Sequence, residues 1–376
     1  MDYTYIDTPE GLRQVVERLR DLPLIAADTE AAGYHRYFDR LSLVQLSSRD
    51  EHWLVDPLAI DDLGPLAELF EDPAIETIFH DADYDLRILD RDAGLRLVNL
   101  FDTQTAAAFL GERSLGLGNV VEKYLGIKLA KEYQRADWAE RPLTEGMKQY
   151  ATTDTAHLPD LRDKLREALE AKGRMHWAEE EFRRRELTRW AEQEDGREAF
   201  LKVKGARDLA PRGLAILREL YEWREKVARE RDQATFRVLG NQALLEMSAA
   251  PPQSEADLPR VTGISEGLAQ RRGRDIMAAV RRGLEVPDGE LPRFPPAKRW
   301  DRDPELEART EALKHARNVR AEEIDMDAGF VMSRALLEEV ARARPATREA
   351  LEKVPGVRRW QVEAIGDALL KVLAKK

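Results

Sequence analysis

The chain predicts a layered α/β domain followed by two all-helical modules, and three observations carry that reading. Strand-like and helix-like segments alternate over residues 1 to about 110, the pattern of layered α/β domains. From Leu117 onward β-branched runs become scarce and nearly every segment reads as helix. Two stretches within that helical part echo each other at an almost constant spacing.

The elements follow in order. Tyr3–Ile6 reads as a strand. Thr8 with Pro9 behind it is an N-cap and a first helical position, opening a helix with Leu12, Val15, Val16 and Leu19 on one face. Leu24–Glu30, Leu41–Ser47, His52–Val55 and Thr77–His80 read as further strands. Asp160 to about Ala199 is one long charged helical stretch closing the first domain. Its runs Glu179–Glu181 and Arg183–Arg185 are expected to be solvated faces. Val286–Arg302, with Pro287, Pro292, Pro295 and Pro296, reads as an extended linker.

The internal repeat pairs Leu258, Val261, Gly263 and Ile264 with Leu351, Val354, Gly356 and Val357, and Gly273 and Ile276 with Gly366 and Leu369, all at an offset of 93. Ala243–Glu246 matches Ala335–Glu338 at 92, so a one-residue indel is expected. The divisions are then a domain over 1–200, helical modules over 205–285 and 303–375, and a linker over 286–302.

Bulk composition bounds the chemistry. No run of 18 apolar residues occurs, so no membrane span is expected, and the N-terminus lacks the basic-then-apolar pattern of a secretory signal. Absence of cysteine excludes disulfides and thiolate zinc sites and fits a reducing, cytoplasmic setting. The net charge of −11 is uneven: −16 over residues 1–200 and +5 over the rest. An acidic half beside a mildly basic one suits a protein that grips phosphates away from its reactive centre; drift in surface charge would look the same.

Three segments carry the candidate chemistry. In Leu24–Glu30 an apolar strand ends in Asp28 and Glu30, which share a face because strand side chains alternate. Two such carboxylates repel each other and resist burial, so a divalent cation with a taste for oxygen would hold them ionised; an exposed pair at a strand end would need none. In Ile78–Leu89 a strand gives way to a helix near Ala82, with Asp81, Asp83 and Asp85 at the junction. Asp85 falls in the first helical turn, near the strand end where open α/β sheets bind ligands, while Asp81 and Asp83 also suit capping. In Tyr150–Asp154 a phenol and a carboxylate share one helix face.

Together these segments resemble the DEDD exonuclease superfamily. The position five residues before Asp154 is Gln149, not His, and the position four before is Tyr150, which indicates the tyrosine branch. Leu43–Ser47, Leu100–Ala106, Leu115–Leu117, Ala136–Trp138 and Arg141–Leu143 are similar to the ribonuclease D family. The helical repeats resemble its HRDC modules, the first through Trp223-Arg224, Val238-Leu239 and Asn241; the second lacks the Trp-Arg pair.

The resemblance implies an RNase H-like exonuclease domain with a mixed sheet, two HRDC-like domains, and 3′→5′ trimming of RNA, tRNA precursors among them. It implies that Asp28, Glu30, Asp85 and Asp154 bind two divalent ions, Mg2+ or Mn2+, while Tyr150 orients the attacking water. A DNA exonuclease of the same superfamily and a non-catalytic nucleic-acid-binding adaptor are the rivals. A monomer is expected. Of the six histidines only His157, on the Asp154 face, invites attention, and His80 is expected to be a buried strand-end residue. The turns at Gly263 and Gly356 would present backbone N–H groups to a phosphate, with Arg271, Arg272 and Arg274 beyond the first and Arg358 and Arg359 beyond the second; the same glycines would equally serve helix packing alone.

Overall fold

Six strands form one sheet in the order β1-β4-β3-β2-β5-β6: β1 is Thr4–Ile6, β2 Leu24–Ala31, β3 Leu41–Ser47, β4 His52–Val55, β5 Glu76–Phe79 and β6 Leu100–Asp102. β3 runs antiparallel to both its neighbours and every other pairing is parallel, so the sheet is mixed, as expected. The computed structural model describes residues 1–130, 132–191, 196, 198–295 and 303–374. Residues 296–302 of the expected linker, residues 192–195 and 197 of the charged stretch and residue 375 of the second module lie outside the described residues. The chain forms two compact units: Met1–Ala31, Leu41–Trp190 and Trp300–Lys376 in one, Ala32–Arg40 and Ala191–Arg299 in the other.

In the first unit, β3 is buried along its whole length, which a strand with neighbours on both edges and helices over its faces requires. Thr8 caps the Pro9–Leu19 helix by accepting from the Gly11 N–H, and Leu12, Val15, Val16 and Leu19 are its buried face. β6, three residues long and running directly into the Thr103–Leu110 helix, was not anticipated. The charged stretch is two helices, Leu158–Ala171 and Met175–Arg185, separated at Gly173 with φ +64°. Leu161, Leu165 and Leu169 of the first bury against the sheet.

The Glu179–Glu181 run is not a solvated face. Glu180 accepts from the backbone N–H of Arg359 and of Trp360, each at 2.9 Å. Glu181 accepts from the Trp360 indole and from Arg358, each at 2.6 Å. The carboxylates thus satisfy the exposed donors at the N-terminus of the Arg359–Leu373 helix. Phe109 completes the seam with edge-on contacts to Phe330 at 5.0 Å and Trp360 at 4.9 Å.

The two helical modules repeat more faithfully than the sequence indicated. Helical segments begin at Pro211, Thr235, Asn241, Glu255 and Glu266 in the first and at Pro304, Ala328, Arg334, Arg348 and Arg359 in the second. Every pair is offset by 93, so no indel exists and the Ala243–Glu246 match at 92 is a coincidence of apolar spacing. In true register Leu244 meets Leu337 and Met247 meets Val340, all fully buried. Gly263 and Gly356 hold turns with φ +87° and +89°. Gly273 and Gly366 each let a helix approach a leucine, Leu258 and Leu351, where a Cβ would lie 3.2 and 3.5 Å from a methyl. The second module also keeps the arginine of the Trp-Arg pair. Arg224 donates to the Leu239 carbonyl and Arg317 to the equivalent Met332 carbonyl. Both are buried, so this arginine is a structural pin within its own module.

Candidate active site

Asp28 and Glu30 alternate with Thr29 along β2, and the two acids share one face. Across the sheet, Asp28 pairs with Gln45 of β3, which places their side chains on the same side. Gln45 is fully buried, and neither its amide nitrogen nor its amide oxygen has a partner in the protein. Buried amide atoms rarely go unpaired, so an unmet hydrogen-bonding demand adjoins Asp28.

Asp85 arrives on the helix Asp83–Ala93. The start of that helix is tied to β6 by Asp102, whose Oδ2 accepts from the Ala82 N–H at 2.8 Å and whose Oδ1 accepts from the Thr105 N–H at 2.7 Å. Asp85 Oδ1 then accepts from both the backbone N–H and the hydroxyl of Thr29, at 3.1 and 2.5 Å. Three acids competed for this position in the sequence. The structure sets one of them aside: Asp83 turns away to Arg87 and Arg185, at 2.9 and 3.0 Å, and its carboxyl is held below the usual range, while Asp81 lines the same cavity as Asp28 and Asp154. Asp85 is buried.

Tyr150 and Asp154 lie on the helix Glu145–Ala156, capped by Thr144. Met147, Ala151, Thr152 and Thr155 form its buried face, and the Thr155 hydroxyl bonds Ser47 of β3 at 2.7 Å. The segment before it is clamped by Arg141. That side chain donates to both oxygens of Asp56 at 2.7 Å, to the Ser42 carbonyl at 2.6 Å and to the Trp138 carbonyl at 2.7 Å. Trp138 and Tyr133 in turn flank the Tyr150 ring, at 6.2 and 6.0 Å between centroids.

The result is a converging set of acids. Carboxylate oxygens of Asp28, Glu30 and Asp154 lie within 4.8 Å of one another. Asp85 sits beside them and raises the pKa of Asp28 and of Glu30 by its charge. Burial, followed by this mutual repulsion, pushes Asp28 and Glu30 well above the carboxylate range. Burial pushes Asp85 up to about 6 and Asp154 up to about 7. Tyr150 is raised too, by burial first and then by Asp154 and Glu30. Among the described residues no lysine or arginine offsets this charge. Such a set of buried oxygen donors, next to an unsatisfied amide, fits hard divalent ions such as magnesium or manganese.

The acids open into a cavity of about 360 Å3 that Asp28, Tyr150 and Asp154 line together with His80, Gln104, Asn119 and Gln134. Gln104 sits within a segment singled out in the sequence, whereas Asn119 and Gln134 carried no distinguishing signal there. His80 is only half-buried. It donates from Nε2 to the Leu115 carbonyl at 2.8 Å and lies 2.8 Å from the Thr103 hydroxyl through Nδ1. Burial keeps its pKa low, so it is a neutral wall of the cavity. His157 does not line this cavity.

The glycine turns behave differently in the two modules. Beyond Gly263, Arg271 and Arg274 are exposed and Arg272 pairs with Asp275 at 3.3 Å. Beyond Gly356, the helix N–H groups already face Glu180, and Arg358 faces Glu181. A phosphate at Gly356, Arg358 and Arg359 would have to displace a carboxylate.

A mixed sheet that gathers strand and helix carboxylates at one cavity defines a 3′-5′ exonuclease of the RNase H-like type, and the 3′-5′ exonuclease family model matches residues 3–170. The HRDC domain model matches residues 213–280 and 307–373. Ribonuclease D of Pseudomonas paraeruginosa is 31% identical over 370 residues, spanning 98% of this chain and 97% of its own. Ribonuclease D of Escherichia coli is 34% identical over 293 residues, 78% of each chain. The crystal structure of the Escherichia coli enzyme, an exoribonuclease involved in structured RNA processing, covers 99% of both chains at 30% identity with a TM-score of 0.69. The chain belongs to the ribonuclease D family, and with it to the 3′→5′ exoribonucleases.

Proposed function

We propose that this enzyme trims RNA 3′ ends, tRNA precursors foremost, with Asp28, Glu30, Asp85 and Asp154 holding two divalent cations, Mg2+ or Mn2+. The observation that carries the reading is the convergence of Asp28 and Glu30 of β2 with Asp154 of the Glu145–Ala156 helix within 4.8 Å, with the charge of Asp85 acting on both β2 acids. Bound there, such ions supply a water of lowered pKa and offset charge on the scissile phosphate.

The chain's own residues do the rest. Thr29 fixes the Asp85 carboxylate by two hydrogen bonds to Oδ1, which leaves Oδ2 free of Thr29 and the group with little freedom. Tyr150 keeps its proton near neutral pH and is therefore a hydrogen-bond donor that orients water, not a base. Gln104, Asn119 and Gln134 offer donors and acceptors to a terminal nucleotide in the cavity. The working division is an exonuclease domain over 1–200, HRDC-like modules over 205–285 and 303–375, and a linker over 286–302, acting as a monomer in the cytoplasm. Of the two glycine turns, the one at Gly263, with Arg271 and Arg274, is the better phosphate contact.

Asp154→Asn is expected to lose nearly all hydrolysis of a tRNA precursor carrying a 3′ extension, and Tyr150→Phe most of it. Full activity in Asp154→Asn would remove the metal assignment. Crystals soaked in manganese give density that names the ligands, and matched RNA and DNA 3′ ends report which sugar is accepted.

A further inference from the structure

Gln45 stands in the middle of the sheet, on the face that carries Asp28 and Glu30, and the mechanism above gives it nothing to do. Its side chain is fully buried, and neither amide atom has a hydrogen-bond partner. An amide hidden from water without partners destabilises a fold, so a use for it is to be sought among its neighbours.

Those neighbours are few. Along β3 the next residues on the same face are Leu43 and Ser47. Leu43 belongs to one apolar cluster with Trp138, Met147 and Ala151. The Ser47 hydroxyl is engaged by Thr155 at 2.7 Å and by His52 Nδ1 at 2.8 Å. Directly across the sheet stand Leu54 of β4 and Asp28 of β2. Leu54 is apolar, and Glu30 is only diagonal to Gln45, roughly 7–8 Å away against about 5 Å for an opposed pair. The helix Glu145–Ala156, which carries Asp154, lies over both flanks of Gln45 through Ala151 and Thr155. The amide is thus shut in beneath that helix, out of reach of a substrate, with Asp28 as its opposed polar neighbour.

We infer that Gln45 is a positioning residue for Asp28: its amide nitrogen donates to the ionised carboxylate and fixes which oxygen Asp28 turns to a bound cation. The inference rests on the metal assignment above and adds to it the residue that aligns one of the ligands. The bond is not made in the structure, and a change of side-chain rotamer is enough to close it between directly opposed residues. An ionised carboxylate is the stronger acceptor, so the bond strengthens as a cation draws the proton off Asp28. Hydrogen-bonding partners of this kind set the orientation and the affinity of metal-ligating carboxylates. Without a cation the unpaired amide destabilises the fold, and with one it strengthens binding. Removing it should therefore move stability and cation affinity in opposite directions.

The test uses the full chain with Gln45→Met and, separately, Gln45→Leu, which fill the space with no amide. In EDTA both variants should melt no lower than wild type, since two unpaired buried atoms are gone. Affinity for manganese, read by electron paramagnetic resonance of the free aqueous ion, should fall about tenfold or more. Hydrolysis of an oligoribonucleotide by Gln45→Met should recover toward the wild-type kcat as manganese is raised, at unchanged KM for the RNA. Manganese uptake as tight in both variants as in wild type would overturn the positioning role alone. A lowered melting temperature in EDTA would overturn it too, by making the amide a plain structural element, as would a loss of kcat that excess manganese does not restore. Wild-type protein that takes up no manganese would instead remove the metal assignment itself, and the inference with it.

Discussion

Tyr150 keeps its phenolic proton because burial, and then the charges of Asp154 and Glu30, oppose a phenolate. The same crowding acts on the acids themselves and gives stability a definite pH dependence. Asp85 and Asp154 titrate near 6 and 7 in the folded protein, against an ordinary value near 3.9 when unfolded. Between about pH 4 and pH 7 the folded state therefore binds more protons than the unfolded one. Stability from these groups is fully present at the acid end and is lost as pH rises through 6 and 7. On the proposed metal assignment a divalent cation would reverse the loss, by binding the ionised carboxylates. In EDTA, melting is expected to shift downward from pH 5 to pH 7.5 relative to Asp154→Asn, and added Mg2+ should raise Tm more at pH 7.5 than at pH 5. A magnesium response equal at both pH values would refute the coupling. The identities of these residues were legible in the sequence. Which of Asp83 and Asp85 turns inward was not, because Asp83 is drawn off by Arg87 and by Arg185, the latter about 100 residues further on.

Elements were legible where a period had room to show itself. The Pro9–Leu19 helix and the strands Leu41–Ser47 and His52–Val55 stand where periodicity and capping put them. The short β6 escaped notice because it passes straight into the Thr103–Leu110 helix with no turn between, and the repeat was misregistered because apolar tetrads recur along any amphipathic helix. The glycines at equal offset were the better guide, since a positive φ or a close helix approach tolerates little else. Gly111 extends this point. It closes the Thr103–Leu110 helix with φ +95°, and a Cβ there would lie 2.2 Å from the Asp325 carbonyl oxygen of the second module. Gly126 closes another helix with φ +73° and has nothing within 4 Å of its would-be Cβ. Each alanine variant is destabilised by roughly 1–2 kcal/mol through the left-handed backbone. Gly111→Ala is expected to cost at least about 1 kcal/mol more, measured by urea unfolding; equal losses would show that the Asp325 backbone yields freely.

Over the whole molecule, the sign change in charge between the two parts of the sequence acquires a more specific meaning. Beyond Gly356 the Arg358 guanidinium is taken up by Glu181 and the Arg359 side chain pairs with Glu352 at 3.3 Å, whereas Arg271 and Arg274 beyond Gly263 remain exposed. Arg271→Ala with Arg274→Ala is therefore expected to lower the slope of log K against log salt for single-stranded RNA by about 0.7 for each phosphate no longer neutralised. Arg359→Ala should leave the slope unchanged. A reversed ranking, read by fluorescence anisotropy over a salt series, would return the phosphate-binding role to the second module.

The sequence by itself determined the class of fold and the existence of a duplicated helical module, and it put forward four acids and a tyrosine as the candidate site. Those features depend on local periods and on residue types whose chemistry is costly to bury without purpose. Only the tertiary structure decided that Glu180 and Glu181 serve a helix start some 180 residues away, that the Trp-Arg arginine is a pin, and that the loop after Glu30 belongs with the first module. Each of these depends on which distant backbone donors, carbonyls and faces are left unsatisfied once the helices have packed, and no local pattern along a chain records that.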